Sequence, residues 1–227
     1  LTMSWIPLES NPEFLHNLGV PKEWGIVDVY GLEPDLLALV PKPVLAVILL
    51  YPDSKKIDAQ KKEEEVKESP KDTTDSQDPD VYHLKQYISN ACGTVALIHS
   101  VGNNLDTINL KDGFLKTFLD DSKNLSFTER GELLINAHGI TDTHKESAQE
   151  GQTEAPSEDA PVYHHFVAFI HKNGFLYELD GRKPAAINHG PTSAETLLED
   201  AASVCKEYMS RDPDEVCFTV VALAASD

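Results

Sequence analysis

Four side chains in this sequence have the types to cleave an acyl bond. Cys92 stands in the run Gln86-Tyr87-Ile88-Ser89-Asn90-Ala91-Cys92-Gly93-Thr94. Ser89 and Asn90 are residue types that cap helices, and the apolar run Val95-Ala96-Leu97-Ile98 follows at once. The pattern predicts a buried helix with Cys92 in its first turn, where the partial positive charge of the helix end favours a thiolate. Gln86, six residues upstream, offers a side-chain amide donor. A thiol at a helix start is also a common packing residue, so its chemistry depends on a partner elsewhere.

The sequence holds nine histidines, and residue type alone does not choose among them. Asn173-Gly174 is a strong hairpin signal. A two-residue turn there pairs Lys172 with Phe175 and, further along, Val167 with Asp180. Residues two apart on a strand share a face with each other and with their cross-strand partners. His165 and Asp180 are then diagonal neighbours, and His164 points to the other side; a slip of one residue would favour His164 instead. An aspartate beside a histidine fixes its tautomer and holds it next to a thiol. A strand-end histidine bonded to a neighbour is the structural alternative. Cysteine, histidine and aspartate together make the arrangement of cysteine hydrolases. No GxSxG elbow is present to support serine chemistry.

The frame that must position these residues fits one domain over 1–227. No run approaches the roughly 18 apolar residues that span a membrane, and Leu1 to Leu8 lacks the features of a signal peptide. Three cysteines without close spacing argue for a reducing compartment, hence a cytoplasmic location. No CxxC pair supports a structural zinc, and no metal or cofactor is expected. The formal charge of −19 argues against nucleic acid and favours a cationic partner.

Along the chain, Asn11-Pro12 opens a short helix that stops at Gly19, and Val27 to Tyr30 alternates like a strand. Pro34 opens another short helix. Val44 to Leu50 is apolar on both faces, the pattern of a strand covered on both sides. The stretch at about 53–80 is a charged surface excursion. Gly113 to Leu119 has helical spacing, and Ser126 with Glu129 forms a capping box. From Thr143 to Tyr163 there is no periodicity. Thr192 with Glu195 predicts a second capping box, opening an amphipathic helix over 194–209. Val216 to Ala225 reads as a strand buried on both faces, which places Cys205 and Cys217 in the core.

Gln86 to Thr94 (QYISNACGT) and Leu176 to Arg182 (LYELDGR) resemble the motifs of the ubiquitin carboxyl-terminal hydrolases, a family of cysteine proteases. Trp5 to Pro12, Asp28 to Gly31, Glu150 to Ser157, Asn188 to Thr192 and Arg211 to Glu215 fit its short, single-domain branch, within it the isozyme L-three type. The resemblance implies Cys92 as nucleophile, His165 as general acid/base, Asp180 as the residue that orients it and Gln86 as the oxyanion donor. It implies an α/β fold: a papain-like α/β/α sandwich with a central, mainly antiparallel sheet, helices on both faces, a knotted backbone and a crossover loop at about 143–163 over the active site. The expected activity is thiol-dependent deubiquitination: hydrolysis of an amide, ester or thioester at the C-terminal glycine of ubiquitin, from small adducts or flexible peptides. Pro7, Leu8, Glu9, Asn11, Asp28, Glu150 and Glu215 fall in regions that the resemblance makes ubiquitin contacts; ubiquitin-like modifiers are further candidate substrates. Glu9, Glu13, Asp28 and Glu150 are carboxylates suited to the basic tail of ubiquitin. The chain is expected to act as a monomer. A ubiquitin-binding module with little turnover and a thiol-dependent acyl transferase are the alternatives. The 55–80 stretch departs from the family pattern.

Overall fold

The computed structural model describes residues 12–52, 78–149, 164–214 and 217–226. Its centre is a six-stranded sheet of β1 (Trp24–Asp28), β2 (Val44–Pro52), β3 (His164–Lys172), β4 (Phe175–Leu179), β5 (Ile187–Pro191) and β6 (Thr219–Ala225), in the order β1-β6-β2-β3-β4-β5. Every neighbouring pair is antiparallel. One face is covered by α1 (Pro12–Asn17), α3 (Cys92–Gly102), α4 (Phe114–Ser122), α5 (Phe127–Ile135) and α6 (His138–Gln149), and the other by α2 (Pro34–Leu37) and α7 (Leu197–Arg211). This is the α/β/α sandwich that the resemblance implies.

The apolar pattern of β2 explains why it lies inside. Ala46 and Ile48 enter one core and Val47 and Leu49 the other, so both faces must be covered. Asn173 and Gly174 carry φ of 49° and 84°, the left-handed pair that a two-residue hairpin turn needs. The hairpin register is the expected one, from Lys172 opposite Phe175 to Ala168 opposite Leu179. The box at Ser126 also forms: its N–H donates to Glu129 Oε2 at 2.8 Å, and the Glu129 N–H donates to its hydroxyl at 3.3 Å.

Several expectations are corrected. Strand β1 occupies Trp24–Asp28 rather than 27–30, because Trp24 already pairs with Ala225. Residues 143–149 continue α6, where Ile140 and His144 are fully buried; tertiary packing overrides a weak local pattern. The box at Thr192 and Glu195 does not form. Thr192 still donates its N–H to the Gly174 carbonyl at 2.9 Å, beside the sheet edge, and its hydroxyl bonds Asp200, so α7 starts later, at Leu197. Cys205 is buried as expected, but Cys217 is exposed, because it precedes the first residue of β6.

Candidate active site

Cys92 is the first residue of α3, and every residue from Cys92 to Val101 is buried. Ser89 and Asn90 do not cap it. The N-cap is Ala91, without a side-chain hydrogen bond, and Asn90 takes a left-handed conformation with φ 65°. A missing side-chain cap leaves the first N–H groups of the helix without a local partner. The Cys92 N–H is one of these groups, at the helix end where negative charge is favoured.

His165 is the second residue of β3 and Asp180 follows the last residue of β4. The hairpin register brings them together: His165 Nε2 lies 2.7 Å from Asp180 Oδ1, with both side chains almost fully buried. Asp180 Oδ1 also accepts the Arg182 N–H at 2.9 Å, a local turn that leads the chain off the ladder. The ring of Tyr51, cross-strand partner of His165, meets the imidazole edge-on at 5.7 Å. Nε2 is thus committed to Asp180, which leaves Nδ1 for the thiol.

The thiol and the imidazole act on one another. Burial pushes the Cys92 thiol up. The neighbouring imidazole of His165, the Phe166 backbone N–H and the positive charge of Arg182 outweigh it, so the thiol lies below its ordinary value. Burial pulls His165 down, but the hydrogen bond and charge of Asp180 and the neighbouring thiol of Cys92 raise it above its ordinary value. Both shifts favour a thiolate beside an imidazolium.

Gln86 sits on a segment clamped from several sides. Its N–H donates to the Gly181 carbonyl at 2.8 Å, and its side-chain Nε2 donates to the Ile88 carbonyl at 3.0 Å. A primary amide has two N–H groups, so the second is left for another acceptor. Asn103, which caps the C-terminus of α3, bonds both the N–H and the carbonyl of Tyr82, and His99 of the helix accepts the Leu84 N–H at 3.1 Å. His83 Nε2 donates to the Asp180 carbonyl at 2.9 Å. The helix of Cys92, the segment of Gln86 and the turn of Asp180 are therefore tied into one unit.

His165 bonds Asp180, Cys92 lies close enough to His165 for each to shift the other, and Gln86 is tied through its backbone to Gly181, next to Asp180. Tyr51 and His83 were not singled out in the sequence; no spacing signal marks a ring that acts through tertiary contact. Asp28 is exposed at the end of β1. Pro7, Leu8, Glu9, Asn11, Glu150 and Glu215 lie outside the described residues.

The sequence profile of ubiquitin carboxyl-terminal hydrolase, family 1, matches residues 5–210. The chain is 48% identical over 228 aligned positions to a ubiquitin carboxyl-terminal hydrolase of Drosophila melanogaster, covering 99% of each chain. It is 42% identical over 222 positions to ubiquitin carboxyl-terminal hydrolase isozyme L1 of Homo sapiens, covering 96% of each. Among solved structures it is similar to the catalytic domain of Trichinella spiralis UCH37 bound to ubiquitin vinyl methyl ester. That match has a TM-score of 0.76 and 28% identity, and covers 98% of this chain and 96% of the other. With its fold, its buried Cys–His–Asp group and a profile match over most of its length, the chain belongs to the ubiquitin carboxyl-terminal hydrolases of family 1.

Proposed function

We propose that the protein is a thiol-dependent deubiquitinase in which Cys92, His165, Asp180 and Gln86 carry the reaction. The observation that carries this assignment is the 2.7 Å bond from His165 to Asp180, with the thiol of Cys92 held at the start of α3 and drawn below its ordinary value by the same imidazole. The thiolate attacks the carbonyl of the C-terminal glycine of ubiquitin. The developing oxyanion receives the Cys92 N–H and the free N–H of the Gln86 amide. His165 protonates the departing amine, alcohol or thiol as the C–N, C–O or C–S bond breaks. Water, deprotonated by His165, then cleaves the acyl-enzyme and restores the thiol. Asp180 holds the ring in the tautomer that keeps Nδ1 toward sulfur.

The whole of 1–227 serves as one catalytic domain; residues 53–77 of the expected surface excursion and 150–163 of the expected crossover loop lie outside the described residues. A loop over the active site, as the family resemblance implies, limits leaving groups to small adducts and flexible peptides. Ubiquitin is bound through its tail and body, with Asp28 among the contacts and the overall negative charge steering the basic tail; ubiquitin-like modifiers are further substrates. We place the enzyme in the cytoplasm, as a monomer; its three free thiols suit a reducing compartment. No helix among the described residues is long and apolar enough to cross a membrane.

Release of a fluorescent amide from the C-terminus of ubiquitin, with Cys92→Ala alongside, tests the assignment. Fast release by the parent and none by the variant is expected. Binding of ubiquitin without release by the parent would replace the hydrolase with a binding module.

A further inference from the structure

We propose that His144 is a positioning residue for the nucleophile, tethering the first turn of α3 through Thr94; the inference rests on the assignment of Cys92 above. The start of α3 carries a reactive group but no side-chain cap. An uncapped first turn frays, and fraying here would move the sulfur relative to His165. A tertiary contact takes the place of the cap. Thr94, the third residue of the helix, has its hydroxyl 2.7 Å from Nδ1 of His144, and both residues are fully buried.

His144 comes from α6 and stands edge-on to the ring of Phe14 of α1, with centroids 6.0 Å apart. Phe14 is itself fully buried, so the imidazole is fixed on its apolar side and aimed at the hydroxyl. Burying an imidazole in such a place is unfavourable unless it is hydrogen-bonded. The bond to Thr94 is thus part of why the site holds a polar ring. Two residues along a helix are separated by about 200° of rotation. A bond at Thr94 therefore resists both unwinding of the turn and rotation of Cys92 away from the imidazole.

The test is the alkylation of Cys92 by iodoacetamide against pH, without ubiquitin, with each thiol followed by peptide mass. Exposed Cys217 is the internal reference. Thr94→Val keeps the shape and removes the hydroxyl; His144→Leu removes the partner. Each is expected to slow Cys92 about threefold on the acid side of its profile and to move that profile up by about half a unit, as expected when the thiolate loses its fixed partner. The double variant is expected to be no slower than either single, since one bond is lost in all three. Thr94→Ser, which keeps the hydroxyl, is expected to restore the parent profile. Variants with the parent rate and midpoint would overturn the tether, and so would a double variant whose loss is the product of the two singles. A parent Cys92 no faster than Cys217 would overturn the nucleophile assignment, and the tether with it.

Discussion

Gln86 and Gly181 are in direct backbone contact: the Gln86 N–H donates to the Gly181 carbonyl at 2.8 Å, and a Cβ placed at 181 would meet the Gln86 Cβ at 2.9 Å. The absent side chain at 181 lets the Gln86 segment lie against the turn of Asp180. Gly181→Ala is expected to push these two apart. Overpacking of this kind costs about 1–3 kcal/mol, and misplacement of reacting groups lowers kcat roughly tenfold or more. Steady-state kinetics and a urea melt of the same variant measure both. Unchanged kcat would mean that the segment yields without disturbing Gln86.

Removing the amide itself acts at a different point. Gln86→Ala takes one donor from the oxyanion and is expected to lower kcat about 100-fold while KM holds. A rise in KM alone would instead make Gln86 a contact for bound ubiquitin.

The pH dependence follows from the opposed shifts of the two buried groups. The thiol lies below its ordinary value of 9.0, so kcat/KM rises with pH on an acid limb below that value. The imidazolium persists above its ordinary value of 6.5, so the alkaline limb falls above that value. Asp180→Asn removes the anion that raises His165. The alkaline limb is therefore expected to move to lower pH and the plateau to narrow. A limb that stays in place would assign it to a group other than His165.

A buried carboxylate on the α7 side of the sheet gives a stability prediction. Glu178 is 1% exposed and accepts hydrogen bonds from Tyr208 at 2.5 Å and His189 at 2.8 Å. Tyr208→Phe strips one partner from the charge, a loss of about 2 kcal/mol. The urea midpoint should fall with no change in slope. A midpoint equal to that of the parent would mean that Glu178 is satisfied without the hydroxyl.

What the sequence disclosed depends on how local the cause is. The turn at Asn173-Gly174 sets its register through two residues that adopt positive φ, so the pairing of His165 with Asp180 could be counted out from the turn. The Ser126 box is equally local. The start of α3 was placed correctly for the wrong reason: the capping types at Ser89 and Asn90 do not cap, and the helix start is held by groups distant in sequence. Thr192 has the right type for a cap but is held beside the sheet edge by Gly174. His83, Tyr51 and His144 act through contacts with partners far along the chain, as between Phe14 and His144 or Tyr51 and His165, and no short pattern encodes such a meeting.

The position of β6 between β1 and β2 has a consequence in time. Trp24 pairs with Ala225 and Val47 with Ala222, so the inner part of the sheet joins early and late stretches of the chain. During synthesis, Cys92, His165 and Asp180 all emerge before β6 does. A nascent chain halted ahead of Thr219 carries every reactive group, yet β1 has no strand to join and β2 has a bare edge. Such an interrupted product exposes the long apolar edge of β2, an edge of the kind that aggregates.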